Sequence, residues 1–289
     1  MSAEETTAEF STGELIGAAW QPDAPSGVFA RLVFAARTDI GRVRSHNEDK
    51  FDFFLPEDDP TLARRGRLFA VADGMGGHQG GQIASEFALK TLIRSYFAPG
   101  GPAPEPALRV AISEANALVT RAAEQFGAKN DMGTTLVAAV ILGEMLTIAH
   151  VGDSRAYLLR EGERVRPLTT DHSWVEEQVR RGALSREEAE VSPYRNVILR
   201  SIGMGEGMEP DLATERLLPG DIVLLASDGL TGYLDGDAIA AIIAGKSPSQ
   251  AALALVDAAN DAGGKDNITV FLVRVDGLEA TTSRPEASE

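Results

Sequence analysis

The sequence predicts an α+β fold with two antiparallel sheets and long helices outside them, and three observations carry that expectation. Short apolar stretches rich in β-branched residues recur along most of the chain. Helical periodicity is confined to a few separate segments, and the two patterns never alternate strictly. A doubly wound parallel sheet or a βα barrel needs regular β-α-β-α succession, so both are excluded.

Residues 1–29 are polar and small, with Pro22 and Pro25, and are expected to form a loose extension. Strands are expected at 32–38, 50–55 and 67–72, each short and apolar. Helices follow at 82–97 and 107–126, separated by a break at 98–106 in which four prolines and two glycines fall. That break reads as a loop within one domain. Three more strands come next, at 134–142, 145–150 and 156–160, then a helix at 174–181. The chain closes with a strand at 221–226, helices at 237–244 and 249–262, and a last strand at 267–275. With no internal repeat or low-complexity linker, 30–276 is expected to be one domain and 277–289 a flexible tail.

The 289 residues carry 43 acidic and 27 basic side chains, a formal net charge of −16. Such a chain is a poor electrostatic partner for nucleic acid or an anionic membrane face. Zero cysteines exclude disulfides, thiolate zinc sites, iron–sulfur clusters and a cysteine nucleophile. The four histidines, His46, His78, His150 and His172, form no i, i+4 pair, so any metal is expected to sit on oxygen. The most apolar run, from Leu136 to Gly143, is far shorter than the roughly 20 residues of a spanning helix. The start, Met-Ser-Ala-Glu-Glu, has neither the basic nor the apolar part of a secretory signal, so a cytoplasmic location is expected.

Aspartates fall at strand ends. Leu68-Phe69-Ala70-Val71-Ala72 runs into Asp73-Gly74-Met75-Gly76-Gly77, and Val223-Leu224-Leu225-Ala226-Ser227 into Asp228-Gly229. Ile148-Ala149-His150-Val151-Gly152 ends in Asp153, and Asp266 opens the final strand. Arg44, Asn47 and Asp49 precede another. A single Asp-Gly after a strand is ordinarily a turn. Several together imply more, because converging carboxylates repel unless a cation neutralises them. Hard divalent cations such as Mg²⁺ and Mn²⁺ take such oxygen ligands.

In order and spacing, these pieces resemble the bacterial metal-dependent serine/threonine protein phosphatases of type 2C. The resemblance runs from about Phe34 to Val275. It includes Arg44, Asn47 and Asp49; the loop from Asp73 to Gly81; and Met132-Gly133-Thr134-Thr135. It continues through Val151-Gly152-Asp153-Ser154-Arg155, Thr170-Asp171-His172-Ser173, Ser227-Asp228-Gly229-Leu230 and Asp266-Asn267-Ile268-Thr269. The resemblance implies a four-layer αββα sandwich with two Mn²⁺ or Mg²⁺ ions at one end. By similarity Asp73 bridges both ions, Asp228 and Asp266 hold the first, and the Gly74 carbonyl helps to hold the second. Asp153 corresponds to a ligand of a weaker third ion in bacterial members, some of which offer another ligand where Asn196 stands. Asp49 corresponds to a carboxylate that orients metal-bound water, and Glu48 is expected to face solvent.

The implied reaction is hydrolysis of phosphoserine or phosphothreonine by direct attack of a metal-activated water. Arg44 would grip the phosphate with its planar fork, against the simpler reading of a surface turn arginine. Asp153 likewise has a simpler reading, as a turn aspartate bonded to Arg155. Met75 stands where animal members carry a histidine, which leaves the leaving-group acid unassigned. Ser192-Pro193-Tyr194-Arg195-Asn196 lacks a histidine of the family pattern, and 173–195 corresponds to the family's mobile flap. Gly245-Lys246-Ser247, the glycines at 203, 205 and 207, and the pair Asp235 and Asp237 lack the context of their respective motifs and read as loops. Phosphorylated proteins are the expected substrates, a serine/threonine kinase the expected opposing partner, and a monomer the expected state. Two rival readings stand beside this one: a catalytically silent phosphoprotein-binding regulator, and a phosphatase of small phosphoesters.

Overall fold

Strands covered on both faces need no polar alternation, and the central strands here show none: every residue from Leu136 to Ile141 is buried. The computed structural model describes residues 27–76, 80–101, 103–128, 131–205 and 207–280. One sheet has the order β1 (Val28–Asp39), β12 (Ile268–Ala280), β11 (Ile222–Ala226), β8 (Arg155–Leu159) and β9 (Arg166–Pro167). The other has β10 (Asp211–Arg216), β7 (Met145–Val151), β6 (Leu136–Leu142), β3 (Arg67–Ala72) and β2 (Lys50–Phe54). All pairings within both sheets are antiparallel.

Side-chain alternation sorts these strands into layers. Phe69 and Val71 point inward with Val137 and Ile148, meeting Leu158, Leu225 and Phe271 of the facing sheet. Their neighbours Leu68, Ala70 and Ala138 point outward, against Leu92, Leu108 and Ile112. Those last three belong to α2 (Gly80–Tyr96) and α3 (Pro104–Gln125). On the opposite side Leu224, Val270 and Leu272 pack on Ile239, Leu255 and Val256, from α7 (Gly236–Ile243) and α8 (Pro248–Asp261). The result is the αββα sandwich.

Antiparallel register then decides which loops meet. Asp39 of β1 pairs with Ile268 of β12, and Ala226 of β11 with both Val270 and Arg155. In the second sheet Lys50 pairs with Ala72, and Leu136 with Val151. The end of β1, the start of β2, the ends of β3 and β11, the start of β12 and the β7–β8 hairpin therefore lie at one end of the sandwich. These are the points where the singled-out residues sit. A two-stranded ribbon, β4 (Gly74–Met75) with β5 (Gly133–Thr134), closes that end.

Several elements differ from expectation. Val28 and Phe29 belong to β1, paired with Ala280 and Glu279, so β1 begins before the expected strand at 32–38 and β12 runs past the expected end at 275. Residues 1–26 and 281–289 of the expected extension and tail lie outside the described residues. Strand β10 was not anticipated because its sequence, Asp-Leu-Ala-Thr-Glu-Arg, is that of a partly exposed edge strand. A short helix, α1 (Asp59–Arg65), was also missed, although Asp58 caps it by accepting the Thr61 N–H at 2.8 Å and Pro60 stands in its first turn. The Tyr96 hydroxyl donates to the Arg65 carbonyl at 2.7 Å and fastens α1 to α2.

Phe271 is the aromatic centre of the sandwich. Its ring lies 5.3–6.0 Å from those of Phe34, Phe51, Phe53 and Phe69, contributed by three other strands. Replacing this fully buried side chain leaves a cavity that both sheets must close. Phe271→Ala is expected to lower stability by about 3–5 kcal/mol in urea unfolding, with its m-value unchanged.

Candidate metal centre

Each aspartate of the site is held through its backbone or a neighbour, which leaves carboxylate oxygens available. Asp73 follows β3. Its N–H donates to Thr135 Oγ1 at 3.0 Å, and its carbonyl accepts from the Thr135 N–H and the Thr134 hydroxyl, both at 2.8 Å. Thr135 Oγ1 lies 2.7 Å from Ser154 Oγ, linking the β3 end to the hairpin that carries Asp153. Gly152 of that hairpin has φ +108°, and a Cβ there would stand 2.7 Å from Thr135 Cβ. Gly74 is required by crowding: a Cβ would collide with the Gly81 carbonyl and stand 2.6 Å from that of Glu48.

Asp228 opens α6 (Asp228–Thr231) directly after β11. The preceding Ser227 donates its hydroxyl to Asp49 Oδ2 at 2.7 Å and accepts the Thr269 N–H on the same Oγ at 3.0 Å. Asp49 is thereby tied to both β11 and β12. Asn267 fastens the loop between β1 and β2: its amide donates to the Ile40 and His46 carbonyls at 3.0 and 2.9 Å, and its carbonyl accepts the Glu48 N–H at 2.8 Å. Asn47 works from within that loop, accepting the Asp49 N–H at 3.0 Å and donating to Thr38 Oγ1 at 2.8 Å. The sequence marked Asn47 and Asn267 as parts of a pattern; what they do is staple the loop.

The carboxylates converge. Burial pushes Asp73 well above the usual carboxylate range, and the charges of Asp49, Asp228, Asp153 and Asp266 push it further. Burial, with Asp228 adding to it, raises Asp49 to about 7, against the opposing hydrogen bonds from Ser227 and Thr269. Asp153 also rises to about 7, through burial and then the charges of Asp228 and Asp171. Asp228 is raised by burial and by Asp266. No hydrogen-bond donor reaches Asp49 Oδ1 or Asp153 Oδ1, both fully shielded from solvent. Asp153 is not bonded to Arg155 as the turn reading required. Arg155 gives its fork to Asp171, at 2.8 and 2.7 Å.

Elsewhere the arrangement departs from expectation. Glu48 is only partly exposed; its carboxylate lies over Gly81, where a Cβ would be 2.7 Å from Oε2, and burial raises its pKa. Arg44 is half exposed, with Nη2 2.7 Å from Asp266 Oδ2. Asn196 is exposed and lines a cavity of about 320 Å³ together with Met75, Gly76 and Met132, whereas neither Asp153 nor Asp228 lines it. The flap segment holds two short helices, α4 (Trp174–Arg180) and α5 (Arg186–Glu190), and is pinned at its base where the Trp174 N–H donates to the Val197 carbonyl at 2.8 Å.

Burial and mutual repulsion fit these residues to cations, and an all-oxygen donor set fits hard divalent ones. Asp73 lies within electrostatic reach of all four other carboxylates. Among the described residues, the one group of three metal-ligating types whose atoms all lie within 4.8 Å of one another is His150, His172 and Asp211, away from this centre. Its chemistry argues against a metal. The Gly152 N–H donates to His172 Nδ1 at 3.1 Å, so the ring proton sits on Nε2, 3.2 Å from Asp211 Oδ2. The Thr170 carbonyl fixes a proton on His150 Nε2 in the same way, at 2.9 Å. Burial lowers His172 to about 4, so the stacked rings are neutral and His172 has no lone pair left for a metal.

Comparison with known proteins agrees with this geometry. The family model for protein phosphatase 2C matches residues 44–251. The serine/threonine phosphatase stp of Listeria welshimeri is 40% identical over 242 residues, covering 82% of this chain and 93% of the relative. The crystal structure of the Mycobacterium tuberculosis serine/threonine phosphatase PstP/Ppp aligns with a TM-score of 0.75 at 34% identity, covering 85% of this chain and 99% of that one. A structure of the PstP catalytic domain in complex with two manganese ions aligns at 0.73 with 33% identity, covering 85% and 99%. The match spans the β1–β2 loop, the Asp73 turn, the hairpin of Asp153 and the start of α6, and on that extent the chain belongs to the protein phosphatase 2C family.

Proposed function

We infer that this chain is a metal-dependent protein serine/threonine phosphatase that hydrolyses phosphoserine and phosphothreonine with Mn²⁺ or Mg²⁺. The observation that carries the reading is the convergence of buried Asp49 and Asp153 with partly buried Asp73, Asp228 and Asp266, where burial and the charges of the other four push the Asp73 carboxyl well above its usual range. Two divalent ions would activate a water for in-line attack and neutralise the phosphoryl oxygens.

The chain's own residues do the rest. Asp73 is central to the cluster and suits a bridging ligand. Asp228 and Asp266 would hold one ion with it, and the Gly74 carbonyl would help to hold the other. Asp49, held by Ser227, keeps one free oxygen to orient water. Arg44, at the rim and paired with Asp266 through Nη2, suits the phosphate with its planar fork. The unpartnered oxygen of Asp153 suits a weaker third ion. Residues 28–280 form the catalytic domain, preceded by an extension without a catalytic role. No described helix is long and apolar enough to cross a membrane. A cytoplasmic monomer acting against a serine/threonine kinase is part of this proposal.

The decisive experiment is phosphate release from a phosphothreonine peptide with Mn²⁺ and with chelator. Metal-dependent release from the peptide is expected. Turnover of small aryl phosphates without peptide turnover would favour the small-phosphoester reading, and binding without release would favour the silent one. Asp73→Ala is expected to reduce release to background and to weaken calorimetric Mn²⁺ binding, since Asp73 is the carboxylate on which the charges of the other four all act. Near wild-type turnover would refute the assignment.

Asp153→Ala separates two roles of that residue. As a turn residue it would alter stability by about 0.5–2 kcal/mol and leave turnover unchanged. As a third-ion ligand its loss should spare the fold and the tight Mn²⁺ sites, yet slow turnover about 10-fold and flatten the response to added Mn²⁺. We expect the second pattern; superimposed rate curves against Mn²⁺ concentration would restore the first.

A further inference from the structure

The ion pair of Arg44 with Asp266 joins two groups to which the proposed function gives different tasks. We propose that Arg44 is a stand-in cation: it neutralises Asp266 until a divalent ion arrives, competes with that ion, and is released toward the phosphate once displaced. The inference rests on the proposed metal site.

Among the carboxylates of the cluster, Asp266 alone has an ion pair with a basic side chain among the described residues. Arg44 Nη2 donates to Oδ2 at 2.7 Å, while the Asn267 N–H donates to Oδ1 at 2.9 Å. Asp49 and Asp153 each keep an oxygen without any donor. The other nearby basic groups are committed elsewhere: Arg155 to Asp171, and Lys50 Nζ to the Asn47 and Asp49 carbonyls at 3.2 and 3.1 Å. Asp266 is also where exchange is easiest. Its side chain is 36% exposed and that of Arg44 54%, so the guanidinium can leave without entering an apolar environment. A half-exposed pair is weak. A doubly charged ion sharing Asp266 with the less exposed Asp73 and Asp228 should therefore prevail over it.

Linkage fixes the sign of the effect. If Arg44 stabilises the metal-free protein more than the metal-loaded one, its removal must tighten metal binding by the same factor. An arginine that merely braces Asp266 as a ligand gives the opposite sign. The test is calorimetric titration of Mn²⁺ into the full chain, stripped with chelator, for wild type, Arg44→Ala and Arg44→Lys, with melting curves in chelator and in saturating Mn²⁺.

Arg44→Ala is expected to tighten Mn²⁺ binding about 2–5-fold, the range of an exposed ion pair. It should also lower the melting temperature in chelator more than in Mn²⁺. Arg44→Lys, which keeps the charge without the fork, should fall between. Unchanged or weaker Mn²⁺ binding in Arg44→Ala overturns the proposal while leaving the metal site standing. A titration that Asp73→Ala does not alter removes the site itself, and this inference with it.

Discussion

Repulsion between carboxylates is the constraint on which the rest of this structure depends. Asp73 is partly buried and within electrostatic reach of Asp49, Asp153, Asp228 and Asp266. Left alone, such groups would separate, take up protons, or both. They stay together because the surrounding backbone and neighbouring polar groups fix their positions. Asp73 is fixed by three hydrogen bonds to its main chain, and Asp228 and Asp266 by the ends of adjacent antiparallel strands. The unfavourable charges are thus supported by a framework whose favourable terms lie elsewhere, in the apolar layers between and outside the sheets.

That division of labour explains the polar residues around the cluster. Ser227, Thr134, Thr135, Asn47 and Asn267 carry no charge, yet each satisfies a backbone group or an oxygen that would otherwise be buried unpaired. Ser227 gives its proton to Asp49 and takes another from the Thr269 backbone, so one small hydroxyl ties three segments. Gly74 and Gly152 let backbones approach where a methyl group would collide. Phe271 supplies the matching rigidity further in, where four rings from three other strands close around it.

The sequence disclosed the parts of this design that produce a periodic or local signal. Strands buried on both faces read as unbroken apolar runs, and aspartates at their ends stood out because Gly followed them or an apolar strand preceded them. The same logic hid β10, which pairs on one side only, and α1, where Asp58 and Pro60 are the sole marks of a helix about two turns long. Side-chain partnerships were less legible still. Arg155 lies two residues from Asp153 and bonds to Asp171 instead; Glu48, beside exposed loop residues, turns in over Gly81. Ser227 looked like the end of a strand, and only the fold brings it to Asp49, 178 positions away in sequence. Local spacing cannot report contacts that sheet register creates.

Charge at this end also sets the order in which ligands can enter. When ionised, the five aspartates present five negative charges behind a single arginine, and a phosphate dianion would be repelled. On the proposed reading, two divalent ions and Arg44 together carry five positive charges, so the loaded cluster is close to neutral before substrate arrives. Phosphate then meets cations held at a fixed spacing by a rigid frame, with no carboxylate left uncompensated to oppose it. Substrate binding should therefore depend on prior cation loading for a reason that precedes chemistry: Coulomb repulsion in a partly buried site is far less screened than at the surface. The net charge of −16 acts in the same direction, drawing cations toward the protein and leaving recognition of the anionic substrate to the one end where that charge is cancelled.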